Sequence, residues 1–132
     1  MNSFKDIRWR QRFENFEKSY KLLEKYSDQN IESEIEKAGF IQFFEMTFEL
    51  SWKVLKDYLE AEGYIVNSPR ETIKQAFQMG IIEDGHNWLE ALSKRNLTTH
   101  TYNEKFAADF VTDIKKKYFP LFKQLHKNLL EE

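Results

Sequence analysis

The chain has 132 residues, with 20 basic and 22 acidic side chains and a formal charge of −2. That length suits a single domain over 1–132 with one core, and the near-balance of charge provides no global field to draw in nucleic acid, so any such contact needs a local patch. Four glycines and two prolines are too few for the turns of an all-β chain, and the absence of cysteine excludes a disulfide framework or a thiolate metal site.

A cysteine-free chain fits a reducing compartment. No apolar run approaches the ~20 residues that span a bilayer, and the opening "MNSFKDIRWRQRF" has no apolar h-region. The expectation is a soluble, cytoplasmic protein with no membrane partner. Twelve Phe, six Tyr and three Trp predict a thick aromatic core.

Trp9, Phe13, Phe16, Tyr20 and Leu23 recur at steps of four and three, which predicts a first helix capped by Ser3 and ending in "YSDQN" at 26–30. A longer helix is predicted over about 33–62, closed by Gly63. It carries two apolar stripes side by side. One runs through Phe40, Phe44, Thr47, Ser51, Val54 and Tyr58, the other through Ile41, Phe48, Trp52, Leu55 and Leu59. Two stripes require neighbours on more than one side, so this helix should be central. Gln42, Glu45, Glu49, Lys53, Lys56 and Glu60 make its remaining face, spaced for i,i+4 pairing. Glu45 and Glu49 stand between bulky aromatics, where a carboxylate can instead face a polar cleft.

"NSPRETIKQAFQMG" predicts a short helix with Ser68 as N-cap, Pro69 in the first position, Glu71 in capping-box position and Gly80 as terminator. Arg70 lies in its first turn, where the helix dipole disfavours a cation. A carboxylate such as Glu49, or a phosphate, would explain it. A fourth helix should start near His86, with Trp88, Leu89 and Leu92 inward. The last should start at the N-cap Asn103 and bury Phe106, Phe110, Ile114, Tyr118, Leu121, Leu125 and Leu129, with Pro120 kinking or dividing it. Lys115 to Lys117 spread around that helix as solvated surface. The fold expected is an all-α, antiparallel up-and-down bundle of about five helices, three long and two short.

Between the last two helices lies "SKRNLTTHTYNEKF", which gathers Arg95, Asn96, His100 and Tyr102. Its threonines are poor helix-interior residues, so the stretch reads as a helix end and a connection. Histidine can move protons near neutral pH, and the guanidinium fork of arginine can stabilise a crowded anionic phosphorus, as cleavage of RNA by its own 2′-hydroxyl requires. Tyrosine can donate to a phosphate oxygen. His86, His100 and His126 lack ligand-like spacing, so neither a metal nor another cofactor is expected. The same four residues could equally tie down one helix end and cap the next.

"RNLTTHTY" has the form Arg-x4-His-x-Tyr. On a small helical bundle this pattern resembles the HEPN superfamily and its HepT-like branch, long labelled nucleotidyltransferase substrate-binding proteins. "FELSWKVLKDYLEAEG", "SPRETIKQAFQMGII" and "WLEALSKRNLTTHTYNE" support the resemblance, which covers about 40–104. It implies a homodimer or higher homo-oligomer with two Arg–His motifs in one cleft, acting as a metal-independent endoribonuclease toxin on RNA. It also implies a minimal nucleotidyltransferase antitoxin as partner, which places AMP on Tyr102. His100 would then be the general acid/base and Arg95 the stabiliser of the transition state. Asn96 would orient the loop or a phosphate, Tyr102 would contact substrate, and Lys94 would add positive field. The older label implies instead a non-catalytic subunit that holds substrate or nucleotide for a partner enzyme. The chain has no Gly-Ser pair followed by paired aspartates, so nucleotidyl transfer would reside in another polypeptide. A purely structural dimerisation bundle is the third possibility.

Overall fold

A computed structural model describes residues 3–98 and 103–132, which form an all-α bundle. The helices are α1 (Ser3–Ser27), α2 (Glu34–Ala61), α3 (Pro69–Met79), α4 (Gly85–Thr98), α5 (Glu104–Asp113) and α6 (Phe119–Leu130). A π-helical turn, Ile114–Tyr118, joins α5 to α6. The expected last helix is therefore one run with a wider turn inside it.

Local chemistry explains most of the boundaries. Ser33 and Glu36 form a reciprocal capping box at the start of α2. Ser68 Oγ accepts from the Glu71 amide at the start of α3, while the Glu71 carboxylate reaches back to the Asn67 amide at 3.0 Å. Gly63 and Gly80 both take positive φ, at 95° and 83°, and let the amides of Tyr64 and Ile81 bond back to Leu59 and Ala76. These are Schellman closures, which relieve the last orphan carbonyls of a helix. Asn103 Oδ1 accepts from the Phe106 amide and caps α5 as expected. α1 already includes Ser3, the residue expected to cap it.

The π-turn has a readable cause. Pro120 has no N–H to offer the carbonyl four residues back, and its ring crowds that carbonyl. The chain widens just before it, and the Phe119 amide donates to Ile114 O, five residues back. Apolar residues at 106, 110, 114 and 118 are spaced by four, which drifts around a 3.6-residue helix. The wider turn takes up that drift and keeps Phe110, Ile114, Tyr118 and Leu121 all buried.

α1 and α2 run antiparallel, with Tyr26 stacked on Phe43, Ser19 bonded to Thr47 at 2.7 Å and Arg12 bonded to Asp57 at 2.8 Å. α2 is central, touching α1, α3, α4, α5 and α6. The core is aromatic as predicted. Phe44 packs edge-on to Phe110 at 5.1 Å, and fully buried Trp88 packs edge-on to Phe122 at 5.6 Å. Trp52 is only half-buried. Among the described residues no helix is long and apolar enough to cross a membrane.

Two features of the charge pattern emerge only in the fold. Asp57 is buried on the core side of α2, where it holds Arg12. Lys115 and Lys117 are tethers as well as surface, donating to Gln29 O and to Glu90 respectively.

Candidate functional site

The site is built where the last turn of α4 lies against α2. α4 is fixed at several points along its length. Asp84 Oδ1 accepts from the Asn87 amide at its start, and Asn128 of α6 donates to Ile81 O just before it. Midway, Glu90 accepts a 2.7 Å bond from the Tyr118 hydroxyl of the π-turn. That hydroxyl and the Lys117 ammonium hold the Glu90 carboxyl below the usual carboxylate range. Burial, and then the bond to Glu90, push the Tyr118 phenol well above its ordinary value.

At the end of α4, the side chains that matter are Arg95, Asn96 and Thr98. One Arg95 Nη2 hydrogen points to Glu49 Oε2, and Nη1 donates to Asn96 Oδ1 at 3.1 Å. The guanidinium also lies 6.0 Å from the centre of the Phe48 ring. Thr98 Oγ1 stands 2.9 Å from Glu45 Oε2 and 2.8 Å from Arg95 O, so its one proton can serve either oxygen. Glu45 and Glu49 are one turn apart on α2, the right spacing to meet Arg95 and Thr98, three apart on α4. α2 thus staples the end of α4 with two carboxylates.

Beside these contacts lies an open groove of about 480 Å3 lined by Gln42, Glu45, Met46, Glu49, Leu50 and Arg95. The Arg95 side chain remains 27% exposed there. Among the described residues it makes two of the five hydrogen bonds a guanidinium can donate. An anion entering the groove would meet a cation held in place by its neighbours.

The expected site residues separate into those the fold brings together and those it does not. Arg95, Asn96 and Glu49 meet directly. Lys94, one position back, is turned to the start of α5, with its ammonium 5.7 Å from the centre of the Phe106 ring. The pairing of Arg70 with Glu49 is not formed, because Glu49 is engaged by Arg95 and by Lys53 at 3.7 Å. Arg70 makes no ion pair among the described residues. His100 and Tyr102 lie outside the described residues, which resume at Asn103. The acidic side of the site is only half legible in the sequence. Glu45 stands between aromatics there, but nothing local to Thr98 points to Glu45 as its partner.

Residues 11–131 match the family described as nucleotidyltransferase substrate binding protein like. A curated relative, "Probable ribonuclease HepT" of Haemophilus influenzae, is 32% identical over 75 residues, covering 53% of this chain and 51% of that protein. The match therefore spans about half the length of the curated relative. A crystal structure of a Thermus thermophilus protein is similar with a TM-score of 0.79 at 34% identity, covering 86% of this chain and 98% of that one. An Arg-x4-His-x-Tyr motif whose Arg95 lies in the last turn of α4, on a bundle of this architecture and with these relatives, leads to one conclusion: the chain belongs to the nucleotidyltransferase substrate binding protein like family, on the HepT-like side of the HEPN-type bundles.

Proposed function

We propose that this protein is a HEPN-type endoribonuclease that works as a homodimer, with Arg95 and His100 as its catalytic residues. The observation that carries this reading is the Arg95 guanidinium, anchored by Asn96 and Glu49 yet partly exposed on an open groove, five residues before His100. A pre-placed guanidinium of this kind can meet the charge that builds on phosphorus as cleavage proceeds. His100 takes the proton of the 2′-hydroxyl, the 2′-oxygen bonds to phosphorus and the bond to the 5′-oxygen breaks. The leaving oxygen regains a proton from a second imidazole across the dimer, or from water. The products are a 2′,3′-cyclic phosphate and a 5′-hydroxyl. Two copies of the motif in one cleft supply the local positive field that the chain's −2 charge lacks.

Within the same reading the chain is the toxin of a toxin–antitoxin pair, and its partner is a minimal nucleotidyltransferase that attaches AMP to Tyr102. An adenylate there brings charge and bulk to the place where substrate phosphate must bind, and so blocks it. A second reading is favoured by the family description itself: a non-catalytic subunit that holds a nucleotide or other phosphate ligand for a partner enzyme.

One experiment separates the two. The chain is purified without any partner, its intact mass is checked for an unmodified Tyr102, and it is incubated with total cellular RNA in excess EDTA beside Arg95→Ala and His100→Ala. The proposal expects cleavage by the unchanged chain alone, with a loss of roughly 100-fold or more in each variant, the scale of a lost acid/base or charge-stabilising group. RNA that is bound by a folded, unmodified dimer but left intact would establish the binding-subunit reading instead.

A further inference from the structure

Arg95 faces two demands that conflict. A phosphate needs its guanidinium, and Glu49 already accepts from it. The other oxygen of Glu49 is 3.7 Å from the ammonium of Lys53, one turn further along α2. Glu49 therefore has a second cation waiting. The side chains of Arg95, Glu49 and Lys53 are 27%, 33% and 39% exposed, so the exchange of one partner for another happens at the edge of the groove, where water lowers its cost. The backbone need not move, because Glu49 and Lys53 lie one turn apart on the same helix and already face each other.

We propose that Glu49 is an exchangeable internal anion and a specificity-determining residue: in the free protein it pairs with both Arg95 and Lys53, and an incoming phosphodiester strand takes over Arg95 and leaves it with Lys53 alone. The inference rests on the phosphate-binding reading of Arg95 given above. A lone anion that takes Arg95 must undo the pair for a single contact. A strand repeats its phosphates, so further contacts along it offset that loss. The carboxylate thereby biases the groove against small anions and towards polyanionic chains. It also keeps a half-buried guanidinium paired while the site is empty.

The test reads binding alone, so it does not depend on cleavage. A fluorescent oligoribonucleotide, 2′-O-methylated throughout to prevent cleavage, is titrated with the full chain at low salt and followed by anisotropy. Glu49→Gln, Arg95→Ala and the double variant are titrated alongside, with circular dichroism confirming that each is folded. Glu49→Gln should bind roughly fivefold tighter, the factor expected from releasing one partly exposed ion pair. The same change should do little in the Arg95→Ala background, where there is no guanidinium to release. Inorganic phosphate should compete with the strand more effectively in Glu49→Gln than in the unchanged chain.

An equal gain in both backgrounds would reduce Glu49 to a diffuse negative charge and overturn the exchange. Weaker binding by Glu49→Gln would also overturn it, and would make Glu49 a residue that orients Arg95. If Arg95→Ala binds as tightly as the unchanged chain, or if no form binds the strand, the phosphate reading of Arg95 falls and the exchange with it.

Discussion

Replacing Arg12 with methionine would strand a carboxylate inside the bundle. Asp57 lies on the buried side of α2 with its side chain 6% exposed, and its charge is met by Arg12 Nε at 2.8 Å. Two unit charges about 4 Å apart are worth about 4 kcal/mol at an effective dielectric of 20. The Arg12 side chain is 43% exposed, so water screens the pair from one side. Halving the figure on that account leaves about 2 kcal/mol as the expected cost of Arg12→Met, which keeps the aliphatic stem and removes only the charge. The partners are not equivalent. In Asp57→Leu the released guanidinium can turn to solvent, while leucine joins the apolar side of α2, so the expected cost is under about 1 kcal/mol. The double variant should then be no less stable than Asp57→Leu alone. Urea unfolding followed by far-UV circular dichroism measures all three, with the midpoint shifting at unchanged slope. In thermal melts Arg12→Met should fall by roughly 8 °C, at about 4 °C per kcal/mol for a chain of this size. Equal losses in the two single variants, or a larger loss in Asp57→Leu, would refute the asymmetry and the burial argument behind it.

Alkali should unfold this protein through its tyrosines. Burial, with Glu24 beside it, pushes the Tyr20 phenol up to about 12, and burial with neighbouring carboxylates also raises Tyr58 and Tyr118. The unfolded chain then loses these protons first, so their stabilisation is complete below about pH 10 and is lost as pH rises through the folded values. Melting temperature measured against pH should therefore drop above about pH 10, and Tyr118→Phe should make the drop shallower. Gly80→Ala should cost about 1 kcal/mol in the same melts, because φ is 83° although no atom stands within 4 Å of the added carbon. Gly85→Ala meets the opposite condition, an ordinary backbone with the Phe77 ring 3.1 Å from the new carbon. That ring is half exposed and can swing away, so Gly85→Ala should be the milder change.

Much of the fold is legible locally. Ser33 with Glu36, Ser68 with Pro69, Gly63, Gly80 and Asn103 each act within a few residues, so the sequence alone sets where most helices begin and end. The double apolar stripe likewise settles that α2 is central, since neither stripe can be buried without a neighbour. The Arg-x4-His-x-Tyr spacing marked the end of α4 as the place to look for chemistry.

Other features exist only once helices meet. Nothing local to Asp57 marks it as buried and paired, because its partner is 45 residues away on α1, and only the antiparallel register of α1 and α2 brings Arg12 to it. The drift of a stripe spaced by four is invisible until a π-turn before Pro120 absorbs it. The partner of Glu49 was open for the same reason. Lys53 is one turn away and legible, Arg70 is a plausible cation, and Arg95 is 46 residues distant. Side-chain charge names a set of possible partners, but separation in the folded chain selects among them, because a salt bridge is decided within a few ångströms. Which helices form, and where the Arg-x4-His-x-Tyr motif lies along the chain, can be read from the residues themselves. The tertiary structure alone decided that two carboxylates of α2 would hold the end of that motif's helix.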